Sequence, residues 1–328
     1  MIAAVSIYDR LRSCITDDIS DQQLKEKAET AEEIIRLKRE KNALILVHNY
    51  IDPLLFHSVA DITGDSLELS RKAADADNDI IVVCGVSFMA ETAKLLNPEK
   101  KVLLPVEEAG CSLAESISPE DVRKLKRKHP GVPVAAYINT YAELKAEIDI
   151  CCTSGNVAQI LSSLPNEQII FLPDQHLTTN VAGMLGAGRE LIGWNGSCEV
   201  HERFTRTQVE DIRRNHPDAV ILAHPESPQE VIDAVDFAGG TSAMINYIQE
   251  SDAQEFCLFS EAAMEKNIVL NDPQKRFIPV PYIRCPHMEK ITLENTLMAL
   301  REERYEIEIP EDIRESAAES VRYMLRIS

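Results

Sequence analysis

A chain of 328 residues exceeds one ordinary domain and predicts two or three. Apolar residues at 45% and charged residues at 27% are globular proportions, which excludes a disordered or fibrous chain. The balance of 34 basic against 54 acidic residues, net −20, excludes a basic nucleic-acid footprint and a polybasic membrane contact, and aromatics at 5% leave no base- or sugar-stacking platform.

The apolar opening Met1-Ile2-Ala3-Ala4-Val5 is too short for a signal-peptide core and soon meets Asp9-Arg10. No run approaches the roughly 18 apolar residues of a membrane span. A cytoplasmic location is expected, so the eight cysteines are read as thiols, metal ligands or catalytic groups rather than disulfides. Asp21 to Lys41 carries Leu24, Ala28, Ala31, Ile34, Ile35 and Leu37 at helical spacing, a lead-in helix. Beyond it, short apolar runs such as Ala43-Leu44-Ile45-Leu46-Val47 and Ile80-Ile81-Val82-Val83 alternate with helix-like stretches, the pattern of parallel strands with crossover helices.

Three segments then align: ALILVHNY ending at Tyr50, VPVAAYIN ending at Asn139 and AVILAHPE ending at Glu226. Each is followed by an Asp with a hydroxyl five residues on: Asp61 and Ser66, Asp149 and Ser154, Asp236 and Thr241. A second strand-like run follows in each (IIVVCG, QIIFLPD, EFCLFSE), and then one cysteine: Cys111, Cys198 and Cys285, spaced 87 and 87. Four features in one order, three times over, predict a triplicated α/β unit of parallel sheets in pseudo-threefold arrangement. The domains expected are 1–129, a lead-in helix plus the first repeat, 130–217, the second, and 218–328, the third plus a C-terminal helix (about Glu311 to Leu325) packing back on the first.

In such units the residues just past a strand's carboxyl end face the binding crevice, which singles out His48-Asn49-Tyr50, Tyr137-Ile138-Asn139 and His224-Pro225-Glu226. Ser66, Ser154 and Thr241 stand where helix N-caps are expected, and three helix N-termini at one pocket would attract carboxylate or phosphate groups. No Walker or GxGxxG loop is present to supply that charge. Cys14, Cys84, Cys152 and Cys257 fit buried thiols. Cys111, Cys198 and Cys285 lie in loops at one phase of the repeat and fit a four-iron cluster with one iron open to substrate as a Lewis acid. A zinc site completed by His201 or His287 is the alternative.

With these residues collected, the chain resembles the quinolinate synthase family from about residue 30 onward. The resemblance rests on HNY at 48, DITGDSLELS at 61, CGVSFMAETAKLLNPEKKVLLP at 84, EAGCSLA at 108, CTSGN at 152, GSCEVHERF at 196, HPE at 224 and TLENTL at 292. It implies three homologous α/β domains around a [4Fe-4S] cluster held by Cys111, Cys198 and Cys285. It also implies condensation of iminoaspartate (iminosuccinate) with dihydroxyacetone phosphate to quinolinate, phosphate and water. The enzyme supplying iminoaspartate is a candidate partner, and nucleic acid and membrane are not expected partners. Carried over by motif, the substrate-binding positions are His48, Ser66, Tyr137, Asn139, Ser154, His224, Glu226 and Thr241. Glu226 is expected as general base with Tyr50 and His48 as partners.

The chain departs from the family at Gly240-Thr241 (usually Ser-Thr), at Pro173-Asp174-Gln175-His176-Leu177-Thr178 and at Ser260-Glu261-Ala262-Ala263-Met264-Glu265-Lys266. Two other enzyme types, diphthamide-forming and isoprenoid diphosphate reductase, place one cysteine per repeat around a cluster, but neither carries FMAETAKLLNP. A non-catalytic cluster sensor has no use for polar triplets at three strand ends.

Overall fold

The computed structural model describes residues 6–15, 19–186, 188–269 and 274–327. Met1 to Val5, and the side chain of Cys14, lie outside them.

Among the described residues twelve strands form three four-stranded, all-parallel sheets. The first holds β1 (Ala43–His48), β2 (Ile62–Gly64), β3 (Ile80–Cys84) and β4 (Lys101–Leu103). The second holds β5 (Val134–Tyr137), β6 (Ile150–Cys152), β7 (Gln168–Leu172) and β8 (Glu190–Ile192). The third holds β9 (Val220–Ala223), β10 (Phe237–Ala238), β11 (Glu255–Phe259) and β12 (Arg276–Phe277). The spatial orders β2-β1-β3-β4, β6-β5-β7-β8 and β10-β9-β11-β12 are one topology repeated. The central strands are buried almost end to end, which is why they read as unbroken apolar runs. In this order the succession of strands switches sides between the first and third strands of each sheet, so the crevice opens where β1, β5 and β9 end.

The repeated aspartates explain the shared geometry. Asp61, Asp149 and Asp236 each accept a hydrogen bond from a backbone amide of the neighbouring strand: Ile45 at 2.9 Å, Val134 at 2.7 Å and Ile221 at 2.8 Å. The same three amino acids return their own N–H to the carbonyls of Ile45, Val134 and Ile221. A carboxylate is therefore built into the entry of every second strand and sets its register.

The chain divides into two compact units, one of Met1–Ala109, Ala262–Asn271 and Arg284–Glu308, the other of Gly110–Glu261, Asp272–Ile283 and Ile309–Ser328. In the first unit the lead-in helix Asp21–Glu40, closed by a Ser20/Gln23 capping box, lies against helix Leu293–Glu302. The expectation that the C-terminal helix packs back on the first repeat is corrected. Helix Glu311–Ile327 packs on β6 and helix Ala142–Lys145 of the second repeat. Its buried stripe of Ala317, Ala318, Val321 and Met324 is small enough for close approach, and Ser320 Oγ lies 3.5 Å from Cys151 Sγ. The cover over the lead-in helix comes instead from Leu293–Glu302.

The cap assignment is also corrected. Ser66 and Thr241 are first helical residues behind the caps Asp65 and Gly240, and Ser154 precedes the cap Asn156 by two. Asp65 takes the amides of Leu67 and Glu68 at 3.0 and 2.9 Å, so Ser66 is not spent on capping. Among the described residues no helix is long and apolar enough to cross a membrane.

Candidate active site

The three loop cysteines share a local structure. The carbonyl of each accepts the amide four residues on, from Glu115, Glu202 and Glu289, at 3.0 Å in every case. Seven residues after each cysteine a hydroxyl caps the next helix: Ser118, Thr205 and Thr292. The sulfur-bearing turn is thus pinned at both ends, three times. Cys111, Cys198 and Cys285 are partly exposed, whereas Cys84, Cys151, Cys152 and Cys257 are buried.

In the second unit, the loop carrying Cys198 is seated on the turn carrying Cys111. Trp194 Nε1 donates to Ser116 O at 3.0 Å, and Gly196 passes so close that a Cβ there would stand 2.6 Å from Pro173 O. A glycine is required by that approach. The Cys198 thiol is pushed well up by burial, then by the charges of Glu226 and Cys111, against backbone donors. Its thiolate therefore needs a cation or metal beside it.

Glu226 is the centre of this region. His201 Nδ1 lies 2.8 Å from Glu226 Oε2 and 3.3 Å from Cys198 Sγ, and the three ligand atoms lie within 4.8 Å of one another. The His201 and His224 rings stack at 4.5 Å, and Ser260 Oγ lies 3.5 Å from His201 Nε2. Burial raises the Glu226 carboxyl, but His224, His201 and a hydrogen bond from Tyr137 outweigh it and hold the group down. Asp174, fully buried past the end of β7, is pushed the other way, by burial and by the Glu226 charge, against the amides of Leu177, His176 and Cys198. The two buried carboxyls are pushed in opposite directions.

Of the residues singled out in the sequence, the second unit brings Tyr137, Cys198, His224 and Glu226 into this cluster. It sets Ser154 beside the helix that begins at Thr241, where a Cβ on Gly240 would stand 2.6 Å from Ser154 Oγ. In the first unit His48 and Tyr50 meet edge to face at 4.8 Å, and His48 is the register partner of Gly64, two residues before Ser66. The amide nitrogens of Tyr50 and Glu226 lie 3.2 and 3.3 Å from His48 Nδ1 and His224 Nδ1, the same turn geometry in both units. In the sequence His201 stands out as a zinc ligand and not as the partner of Glu226, and Asp174 and Ser260 stand out only within segments that depart from the family pattern, with no role of their own. Asp174 lies two residues past β7 and Ser260 one past β11, so the strand-end rule applied to β5 and β9 reaches both.

The family model for Quinolinate synthetase A protein matches residues 32–326. The chain belongs to that family and is an enzyme of that kind. It is 47% identical to a quinolinate synthase of Agrobacterium fabrum over 99% of this chain and 92% of the relative. It is 49% identical to one of Xylella fastidiosa over 90% and 86%, and to quinolinate synthase 2 of Mesorhizobium japonicum over 90% of each. The family is one of iron–sulfur enzymes, and a thiolate set is the donor chemistry such a group takes.

Proposed function

We propose that this chain condenses iminoaspartate with dihydroxyacetone phosphate to give quinolinate, phosphate and water, in the cytoplasm. A [4Fe-4S] cluster would be held by Cys111, Cys198 and Cys285. The observation that carries the reading is the threefold pinned cysteine turn, in a chain matched to this family over nearly its whole length. When bound, the cluster supplies a Lewis-acid iron without a protein ligand. We assign the repeats as 1–129, 130–217 and 218–328.

The remaining chemistry is done by side chains. His48, Ser66, Tyr137, Asn139, Ser154, His224 and Thr241 bind the anionic substrates. Glu226 is ionised before substrate arrives. Held down as it is, it is a weak base in that state. An incoming dicarboxylate raises it by like-charge repulsion, so basicity develops when the substrate is in place. Tyr50 and His48 share the remaining proton transfers. The enzyme that supplies iminoaspartate is the partner this chemistry calls for.

Anaerobic incubation of the iron-loaded protein with both substrates should form quinolinate at a rate proportional to protein. No product, from protein that holds iron and sulfide in cluster proportion, would sink the reading. A second reading, a single zinc held by Cys198, His201 and Glu226, draws on the closeness of those three groups. Metal analysis separates the two.

A further inference from the structure

The turn that follows the first strand of each sheet has a feature that repeats as strictly as the cysteines. Counting His48, Tyr137 and His224 as position one, the side chains at positions one and three are the binding and catalytic candidates. The carbonyls at positions two and four lie beyond the sheet ladder, where a buried acceptor needs another partner. In every turn one buried side-chain nitrogen takes both.

Asn267 Nδ2 donates to Asn49 O at 3.1 Å and Ile51 O at 2.9 Å. Asn180 Nδ2 donates to Pro225 O at 2.8 Å and Ser227 O at 2.9 Å. Lys145 Nζ donates to Ile138 O at 3.0 Å and to Thr140 O. Asn180 and Asn267 are 87 residues apart, the spacing of the cysteines, and sit in the helices that follow β7 and β11. The corresponding helix after β3, Ser87–Leu96, contains no asparagine, and the second turn is held instead by a lysine of its own repeat, 0% exposed. The donor changed while the two acceptors stayed. The Oδ1 atom of Asn180 has no hydrogen-bond partner among the described residues, so that amide is buried for its nitrogen.

We propose that Asn180, Asn267 and Lys145 are positioning residues of the active site. Each fixes the peptide planes at positions two and four, which leaves the side chains at one and three a single orientation. The proposal rests on the functional reading above for which side chains matter, and the clamp itself does not depend on it. It also sorts the three residues by effect. Asn180 and Asn267 hold turns that carry Glu226, His48 and Tyr50, and Lys145 holds a turn that only binds.

The test uses the iron-loaded full chain with Asn180→Leu, Asn267→Leu and Lys145→Met, which keep approximate shape and remove the donor. Amide hydrogen exchange should accelerate about tenfold or more at Glu226 and Ser227 in the first variant, leaving Tyr50 and Ile51 unchanged, with the reverse in the second. Iron content should stay at the wild-type level. Turnover should fall roughly tenfold for Asn180→Leu and Asn267→Leu, whereas Lys145→Met should raise KM roughly tenfold with kcat within about threefold, and Lys145→Arg should restore KM. Should a leucine variant not fold, Asn180→Ser and Asn267→Ser replace it with the same expectations. Exchange that speeds up equally in all turns, or normal kinetics in a variant that has lost its clamp, would overturn the proposal. A wild-type protein that makes no quinolinate would remove the functional reading and leave the exchange pattern as the test of the clamp.

Discussion

Two groups of cysteine share this chain, and their contrast locates the chemistry. Cys84, Cys151, Cys152 and Cys257 end or cross strands, are buried, and behave as small apolar side chains. Burial pushes the Cys84 thiol up to about 12, with Thr296 Oγ1 3.6 Å away as its polar neighbour. Cys111, Cys198 and Cys285 stand in turns outside the sheets, and each turn is tied down by its own carbonyl and by a capped helix seven residues later. A strand can hide a thiol and a turn can present one. The fold uses a single residue type for both, and position in the repeat decides which.

The sharpest way to break this contrast is to exchange roles by mutation. If these three hold the proposed cluster, alanine at Cys111, Cys198 or Cys285 should remove the brown colour and lower quinolinate formation by at least about 10³-fold, the loss expected with the proposed Lewis acid. Alanine at Cys84 or Cys151 should leave iron content unchanged and lower stability by about 1–2 kcal/mol, from the small cavity. Equal bleaching by both sets would erase the distinction.

Next in size is Glu226→Gln, which keeps shape and hydrogen bonding but removes the charge. Iron should stay bound while turnover falls roughly 10²-fold. Normal turnover would return Glu226 to the scaffold and leave proton transfer to Tyr50 and His48.

A third expectation concerns the first unit alone. Burial, with Arg10 adding to it and a hydrogen bond to Asn267 opposing it, lowers the His57 imidazole to about 4. The unfolded chain takes up this proton near pH 6.5 and the folded chain only near 4. Its contribution is therefore complete above about 6.5 and is lost as pH falls through that window, on the order of 2 kcal/mol after allowing for partial exposure. Urea unfolding at pH 7 and pH 5 should show the loss, and His57→Gln should flatten it. The smallest effect is expected at Gly240→Ser, where the new side chain displaces Ser154 Oγ and should change KM by about threefold or less.

Much of this was legible in the sequence because the repeat writes the same physics three times. The central strands announce themselves as unbroken apolar runs, and three cysteines at equal spacing cannot all be incidental. The edge strands β4, β8 and β12 were not called out because two or three residues carry no period to read. Ser66, Ser154 and Thr241 read as caps because a hydroxyl before a helix is the usual cap, and Asp65, Asn156 and Gly240 near them hold that place instead. The terminal helix's partner is not legible, since an amphipathic stripe states that it needs one without naming it. Asn180, Asn267 and Lys145 look like ordinary polar positions on helices, and only their acceptors, distant in sequence for both asparagines, reveal them.

The proposed cluster is tested most directly by its metal content. Iron, zinc and acid-labile sulfide should be measured on anaerobically purified protein, with the visible spectrum recorded before and after exposure to air. About four irons and four sulfides per chain are expected, with a broad brown absorbance that bleaches in air and recovers with iron, sulfide and reductant. One zinc per chain without sulfide, or a protein indifferent to air and chelators, would contradict it.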